Sequence, residues 1–214
     1  MRSLLMIGTA LAAAIGWSLA NNSLAAAPAV QSDQRPIVDN AHVRVYRTSA
    51  DALGKVPHGA AVVVSIDSRS GEIGKAVWAE DAASSAANGR GIVVVVQPRE
   101  PRTSPPPPGA TRPGEATFTG MSFTPIFDND RVSVIRARMV VGAREAFHTH
   151  RSDTIVVHLS GGEIEDTANG KTVVNRWKPG DVEFEELGSS HSARNTGGAI
   201  DVVLVALKLQ QHQD

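Results

Sequence analysis

One segment of this chain occurs twice, and that echo constrains the fold more than any other feature. Arg35-Pro36-Ile37-Val38-Asp39-Asn40-Ala41-His42-Val43-Arg44-Val45-Tyr46-Arg47 is matched without a gap by Thr124-Pro125-Ile126-Phe127-Asp128-Asn129-Asp130-Arg131-Val132-Ser133-Val134-Ile135-Arg136. Both contain Pro-Ile, Asp-Asn and Val-x-Val-x-Arg in register, which points to internal duplication of one β-unit. Each copy continues alike: Ala60 to Ile66 parallels Thr154 to Leu159, and Gly91 to Val96 parallels Ile200 to Val205. Short Val-rich runs bounded by Gly and Pro read as strands. After Ala26 only Asp81 to Ala87 shows a trace of helical period. The expected class is therefore all-β and antiparallel, closed as a barrel or a two-sheet jelly roll.

The chain has 214 residues, 42% hydrophobic and 20% charged, with a formal net charge of −1, which fits a globular protein and excludes a nucleic-acid binder by charge. Cysteine is absent, so disulfides, thiolate ligands, iron–sulfur clusters and cysteine nucleophiles drop out together. His, Asp and Glu remain for metal binding. At the N-terminus Arg2 precedes an apolar run from Leu4 to Ala20, closed by small residues at Ser23-Leu24-Ala25. Residues 1–25 read as a secretory signal peptide, giving a periplasmic or secreted protein that begins near Ala26. An uncleaved anchor is the alternative, because the run is near the lower length limit of a spanning helix. Ala26 to Gln34 is a polar leader. Residues 35–97 form the first β-unit, residues 98–114 with Pro105-Pro106-Pro107-Pro108 a polyproline-type linker, and residues 124–208 the second unit.

The second unit carries the chemistry. His148 and His150 stand at i and i+2, so on a strand both imidazoles point the same way, and a neighbouring strand can bring in His191. Three imidazoles suit one divalent transition metal, Fe, Mn, Zn, Ni or Cu, with positions left open. The first unit has no such pair; His58 reads as a loop residue. Asn169-Gly170 signals a two-residue hairpin turn, and Pro179-Gly180 a second tight turn.

At these residues the sequence resembles the cupin family. Its first motif orders Gly, His-x-His, an acidic ligand and Gly, and Gly142, His148, His150, Thr154 and Gly161 fall on those places. Its second orders Gly, Pro, Gly, His and Asn, and Gly180, Glu186, Gly188, His191 and Asn195 fall on those. Two positions depart: Glu186 stands for the proline, and Thr154 for the carboxylate that is usually a metal ligand. The resemblance implies a cupin-type double-stranded β-helix in a tandem, two-cupin arrangement, with a degenerate N-terminal half and a metal held by His148, His150 and His191. It also implies a small-molecule partner and, by analogy, a homodimer. Without the carboxylate the metal centre gains about one unit of positive charge, which favours an anionic ligand. Oxygenase-type or isomerase-type chemistry and a non-catalytic metal- or ligand-binding module both stay open, and no catalytic residue is assigned.

Other residues divide between roles. His158 shares the inward face with Thr154 but lies on the order of 13 Å further along, as a core histidine satisfied by its neighbours. Glu183 and Glu185 share one face: a solvated face is the commoner outcome, and an inward one would offer a general base or a carboxylate ligand. Asp153 turns outward if Thr154 points in. Arg138, Arg144 and Arg194 are candidates for a carboxylate ligand near the mouth. Phe147 and Trp177 read as apolar packing, with Phe147 also a candidate to shape the entrance.

Overall fold

The computed structural model describes residues 35–84, 90–103 and 118–210. The expected signal peptide and leader, most of the expected linker and part of the Asp81–Ala87 segment lie outside them. Among the described residues there are thirteen strands: β1 (Val38–Asp39), β2 (Val43–Ser49), β3 (Ala61–Ser65), β4 (Ala76–Ala79), β5 (Ile92–Pro98), β6 (Phe118–Asp128), β7 (Val132–Thr149), β8 (Thr154–His158), β9 (Gly162–Ala168), β10 (Lys171–Trp177), β11 (Val182–Glu185), β12 (Ser190–Asn195) and β13 (Ile200–Leu207). The expected all-β class is what the chain adopts. Its one helical element here is a 3₁₀ helix at Ala50–Lys55, too short to leave a periodic signature in sequence. Residues 82–84 are turn rather than helix.

The strands form two antiparallel sheets. The first runs β1-β2-β5-β3-β4, and the second runs β10-β9-β12-β7-β13-β8-β11 with β6 paired to β7. Within the second sheet, the path β6-β7-β13-β8-β11 repeats the order of the first. The register repeats too. Val38 faces Val45 and Phe127 faces Val134; Val45 faces Val96 and Val134 faces Val205; Val62 faces Val96 and Ile155 faces Val205. The Asp-Asn echo closes the same turn in both places. Asn40 Oδ1 accepts from the His42 and Val43 amides, and Asn129 Oδ1 accepts from the Arg131 and Val132 amides. Such Asx contacts are the reason Asn recurs at turns. The second unit then adds β9, β10 and β12, which have no counterpart among the described strands of the first.

The two sheets pack face to face through one shared core. Val43, Val45, Val62, Val64, Val94 and Val96 of the first meet Val132, Val134, Ile155, Val157, Val203 and Val205 of the second. The opposite face of the first sheet is covered by Ala50 and Leu53 of the 3₁₀ helix and by Val56 just after it, against Val63, Val93 and Val95. With both faces covered, these strands read as unbroken Val runs rather than alternating ones.

The second sheet curls in the jelly-roll manner. β7 is its corner: it pairs with β13 over its first half and with β12 over its second, bending at Gly142, where φ is 80°. The strand runs through this glycine without a break. Edge strands β10 and β11 are joined by the Pro179-Gly180 turn, where the Asp181 amide donates to Lys178 O at 3.0 Å and Gly180 has φ 83°. Pro then Gly with positive φ is the type II pattern. That short link draws the two edges of the sheet together around a cavity.

Candidate metal centre

Alternation along each strand decides what lines the cavity. On β8, Ile155 and Val157 face the shared core, so Thr154, Val156 and His158 face inward. On β11, Val182 and Phe184 pack outward and Glu183 and Glu185 face inward. The solvated face expected for the two glutamates is therefore the lining of a cavity. The reason is tertiary: Val182 and Phe184 are needed by the core against the first sheet, which forces the alternate residues in.

His148, His150 and His191 meet in this cavity, with one potential ligand atom from each lying within 4.8 Å of the others. Their ring centroids form a nearly regular triangle, at 4.9, 4.8 and 4.9 Å. β12 lies beside β7 with His191 directly opposite His148. Two of the rings are fixed by a second contact. His148 Nδ1 is 2.9 Å from Ala146 O, and His191 Nδ1 is 2.9 Å from Asp166 Oδ1. Each acceptor holds the proton on Nδ1 and leaves Nε2 with a free lone pair, the arrangement that ligating histidines use. His191 Nε2 is buried and has no hydrogen-bond partner among the described residues.

Four carboxyl groups share the cavity: Glu145, Asp166, Glu183 and Glu185. Glu145 Oε2 stands 3.6 Å from His191 Nε2, and Glu185 Oε2 stands 3.4 Å from His150 Nδ1. Glu185 is the cross-strand partner of Thr154, so a carboxyl is present at the level of the expected ligand, one strand over. Thr154 itself lines the wall, with Oγ1 at 3.5 Å from Ser152 O.

Glu145 went unnoticed in the sequence because strict alternation puts it on the opposite face from His148. Between those two residues β7 advances three positions while β12 advances two, from His191 to Ala193. This bulge in β7 turns both side chains inward. No sequence signal short of the paired strand announces it. Asp166 alternates with outward Glu165 and Thr167 on β9, and its local sequence does not distinguish the inward acid from the outward one.

Burial opposes charge on either kind of group. It raises the Glu185 carboxyl well above the ordinary range, helped by Glu145, Glu183 and Asp166. It raises Glu183 to about 7, with Asp166 and Glu145 adding to the effect. Glu145 is raised by burial against the pull of His191, with Asp166 adding to the rise. His150 is lowered to about 4, by burial first and then by the neighbouring His191 and His148. Both shifts weaken the charge on the two partners of the His150–Glu185 contact. A divalent cation among these groups would satisfy imidazole lone pairs and carboxylates together, and the donor set fits one.

The remaining candidates lie elsewhere. Arg138 pairs with Asp201 at 2.6 Å, and Arg144 and Arg194 line a separate outer depression together with Phe147. Phe118 rather than Phe147 stands edge-on to His148, at 5.4 Å. Arg151 is the exposed cation on the cavity rim. Asp153 turns outward as expected and is 2% exposed, held by Arg102 at 2.7 Å and by the Leu187 amide. His58 is a surface residue paired with Asp81. His158 is buried as expected, yet its ring nitrogens are not satisfied by neighbours.

No protein-family model matches the chain, and no curated protein matches it. Solved structures do resemble it. One is a cupin domain from Bordetella pertussis Tohama I, 24% identical, over 42% of this chain and 94% of that one, with a TM-score of 0.39. Another is an RmlC-like cupin from Shewanella frigidimarina NCIMB 400, 19% identical, over 43% of this chain and 79% of that one, at 0.35. A third is the polyketide cyclase RemF from Streptomyces resistomycificus, 18% identical, over 44% and 69%, at 0.38. The fold assignment rests on strand order and curl: an all-β chain whose second sheet has the cupin-type jelly-roll form. Among the described residues no helix is long and apolar enough to cross a membrane.

Proposed function

We propose that the protein is a tandem cupin whose second unit holds one divalent transition metal through His148, His150 and His191 and acts there on a small molecule. The observation that carries this is the fixing of His148 and His191 through Nδ1, which aims both Nε2 atoms at a common point. Glu145 and Glu185 stand ready beside that point, in place of the carboxylate absent at position 154. Bound there, the metal supplies Lewis acidity and, if redox-active, electron exchange with a bound ligand. The chain's own part is to orient the imidazoles through Asp166 and Ala146 O, and to keep water out with Phe118, Met121 and Phe123 at the wall. On this reading the first unit is a degenerate copy that keeps the shared-core face and lacks the ligand strands. On the reading of residues 1–25 as a secretory signal, the protein works in the periplasm or outside the cell.

Metal analysis of protein purified from that compartment tests the assignment. Near-stoichiometric iron, manganese, zinc, nickel or copper is expected, and the variant His148→Ala loses it while keeping its far-UV circular dichroism. Iron together with ligand-dependent oxygen uptake would select an oxygenase. Metal-free protein that also fails to take up any of these ions in vitro sinks the proposal.

A further inference from the structure

Beyond the histidine triad, the same cavity has a second polar feature that metal binding leaves unused. His158 is 1% exposed, lies one inward position past Val156 at the far end of β8 from Thr154, and stacks on Trp177 with centroids 4.5 Å apart and planes 15° apart. Three ring nitrogens here, His158 Nδ1, His158 Nε2 and Trp177 Nε1, are buried without a hydrogen-bond partner among the described residues. Leaving such groups unpaired is costly, and two adjacent side chains doing so in a cavity wall point to a ligand. The wall around the pair is otherwise mostly apolar, formed by Met139, Val156, Ile164, Ile200, Val202 and Leu204, with Asn175 of β10 and Glu183 of β11 as its other polar members.

The chemistry of the partner follows from the donor count. Neutral His158 offers one N–H and one lone pair, and Trp177 offers one N–H. A hydroxyl group, with lone pairs and one proton, can use all three. A carboxylate could use only the two donors, and it would lie buried beside Glu183, which sits on the neighbouring strand level with Val156. The cavity holds four carboxyls and, besides imidazoles, only the rim cation Arg151 among its described lining residues. Its volume of about 250 Å³ is below the roughly 300–1,000 Å³ of pockets for drug-sized molecules.

We propose that His158 and Trp177 form a hydroxyl-recognition subsite, and that the ligand is a compact, uncharged, largely apolar molecule with an oxygen at each end, one for the metal and one for this pair. This rests on the proposed function for the metal end alone. It departs from the anionic ligand expected from the loss of a carboxylate at position 154, because the cavity supplies carboxyls from other strands.

Three probes test it on the full chain, both metal-free and zinc-loaded: 4-hydroxyacetophenone, acetophenone and 4-hydroxybenzoate. The indole N–H signal of Trp177, assigned by its loss in Trp177→Phe, reports on the subsite in nitrogen-15 NMR spectra. The hydroxylated ketone is expected to shift that signal and to bind about tenfold tighter than acetophenone or 4-hydroxybenzoate. In His158→Phe and Trp177→Phe the two ketones should bind alike, and ligand-free His158→Phe should melt no lower than wild type. Equal binding of the two ketones to wild type, equal binding of 4-hydroxybenzoate, an unmoved indole signal, or no binding by any probe overturns the subsite. Zinc binding is measured separately. Hydroxyl discrimination without zinc binding would remove the metal reading and keep the subsite, and zinc binding without discrimination would do the reverse.

Discussion

At the scale of single residues, the centre is defined by what stands behind the ligands. Asp166 holds His191 through Nδ1, so Asp166→Ala should lower zinc affinity by about 10–100-fold with no change in secondary structure. Isothermal titration calorimetry checks this, with the outward residue Glu165 changed to Ala as the control; equal effects from both would refute the orienting role. His158 gives a pH prediction. Burial lowers it to about 4, against about 6.5 for a free imidazole. Above pH 6.5 it is neutral folded or unfolded and costs nothing on this account. As pH falls below 6.5 the unfolded chain takes up a proton that the folded chain refuses, and stability is lost until pH reaches about 4. Between pH 7 and pH 5 that loss is about 2 kcal/mol. The raised carboxyls act with the opposite sign, since Glu183, at about 7, binds its proton more tightly when folded. The readout is therefore the difference between wild type and His158→Phe in urea unfolding at the two pH values. The same difference at both would show that His158 ionises freely.

At the scale of elements, turns and one bulge set the geometry. Asn169 and Gly170 have φ of 51° and 73°, the double left-handed pattern of a type I′ turn, and they fix Ala168 opposite Lys171 in the β9–β10 hairpin. That register carries Asp166 and Ile164 inward. Gly170→Ala should cost about 1 kcal/mol, because a Cβ strains the backbone there although no atom obstructs it. Thermal melts measure it; a neutral change would mean the turn relaxes to another type. The turns were readable in sequence because Asn-Gly and Pro-Gly act locally. The β7 bulge was not, since it exists only against β12, and it is what adds Glu145 to the cavity.

For the whole molecule, the shared core makes the two sheets interdependent. The outward residues of β7, β8 and β13 are covered by the first sheet, so the second unit has no stable surface without it. Ile155, fully buried between the sheets, should cost about 2–5 kcal/mol when changed to Ala. Unfolding should also be a single transition. Trp78 lies in the first sheet and Trp177 in the second, so single-tryptophan variants retaining one or the other should give coincident urea midpoints by fluorescence. An earlier transition at Trp78 would show that the first sheet detaches alone.

By itself the sequence determined the all-β class, the repeated unit, the tight turns and the three histidines, because each is written in local pattern: composition, spacing of two along a strand, or Asn and Gly at turns. It also showed that only the second unit has a His-x-His pair. Tertiary structure decided which way the acids face, how the two units meet and what the cavity accepts. Val182 and Phe184 had to face the first sheet, so Glu183 and Glu185 face the metal centre; a bulge brought in Glu145, and curling of the sheet brought Asp166 to His191. Faces of strands are set by what they pack against, and packing partners distant in sequence leave no mark on the strand itself.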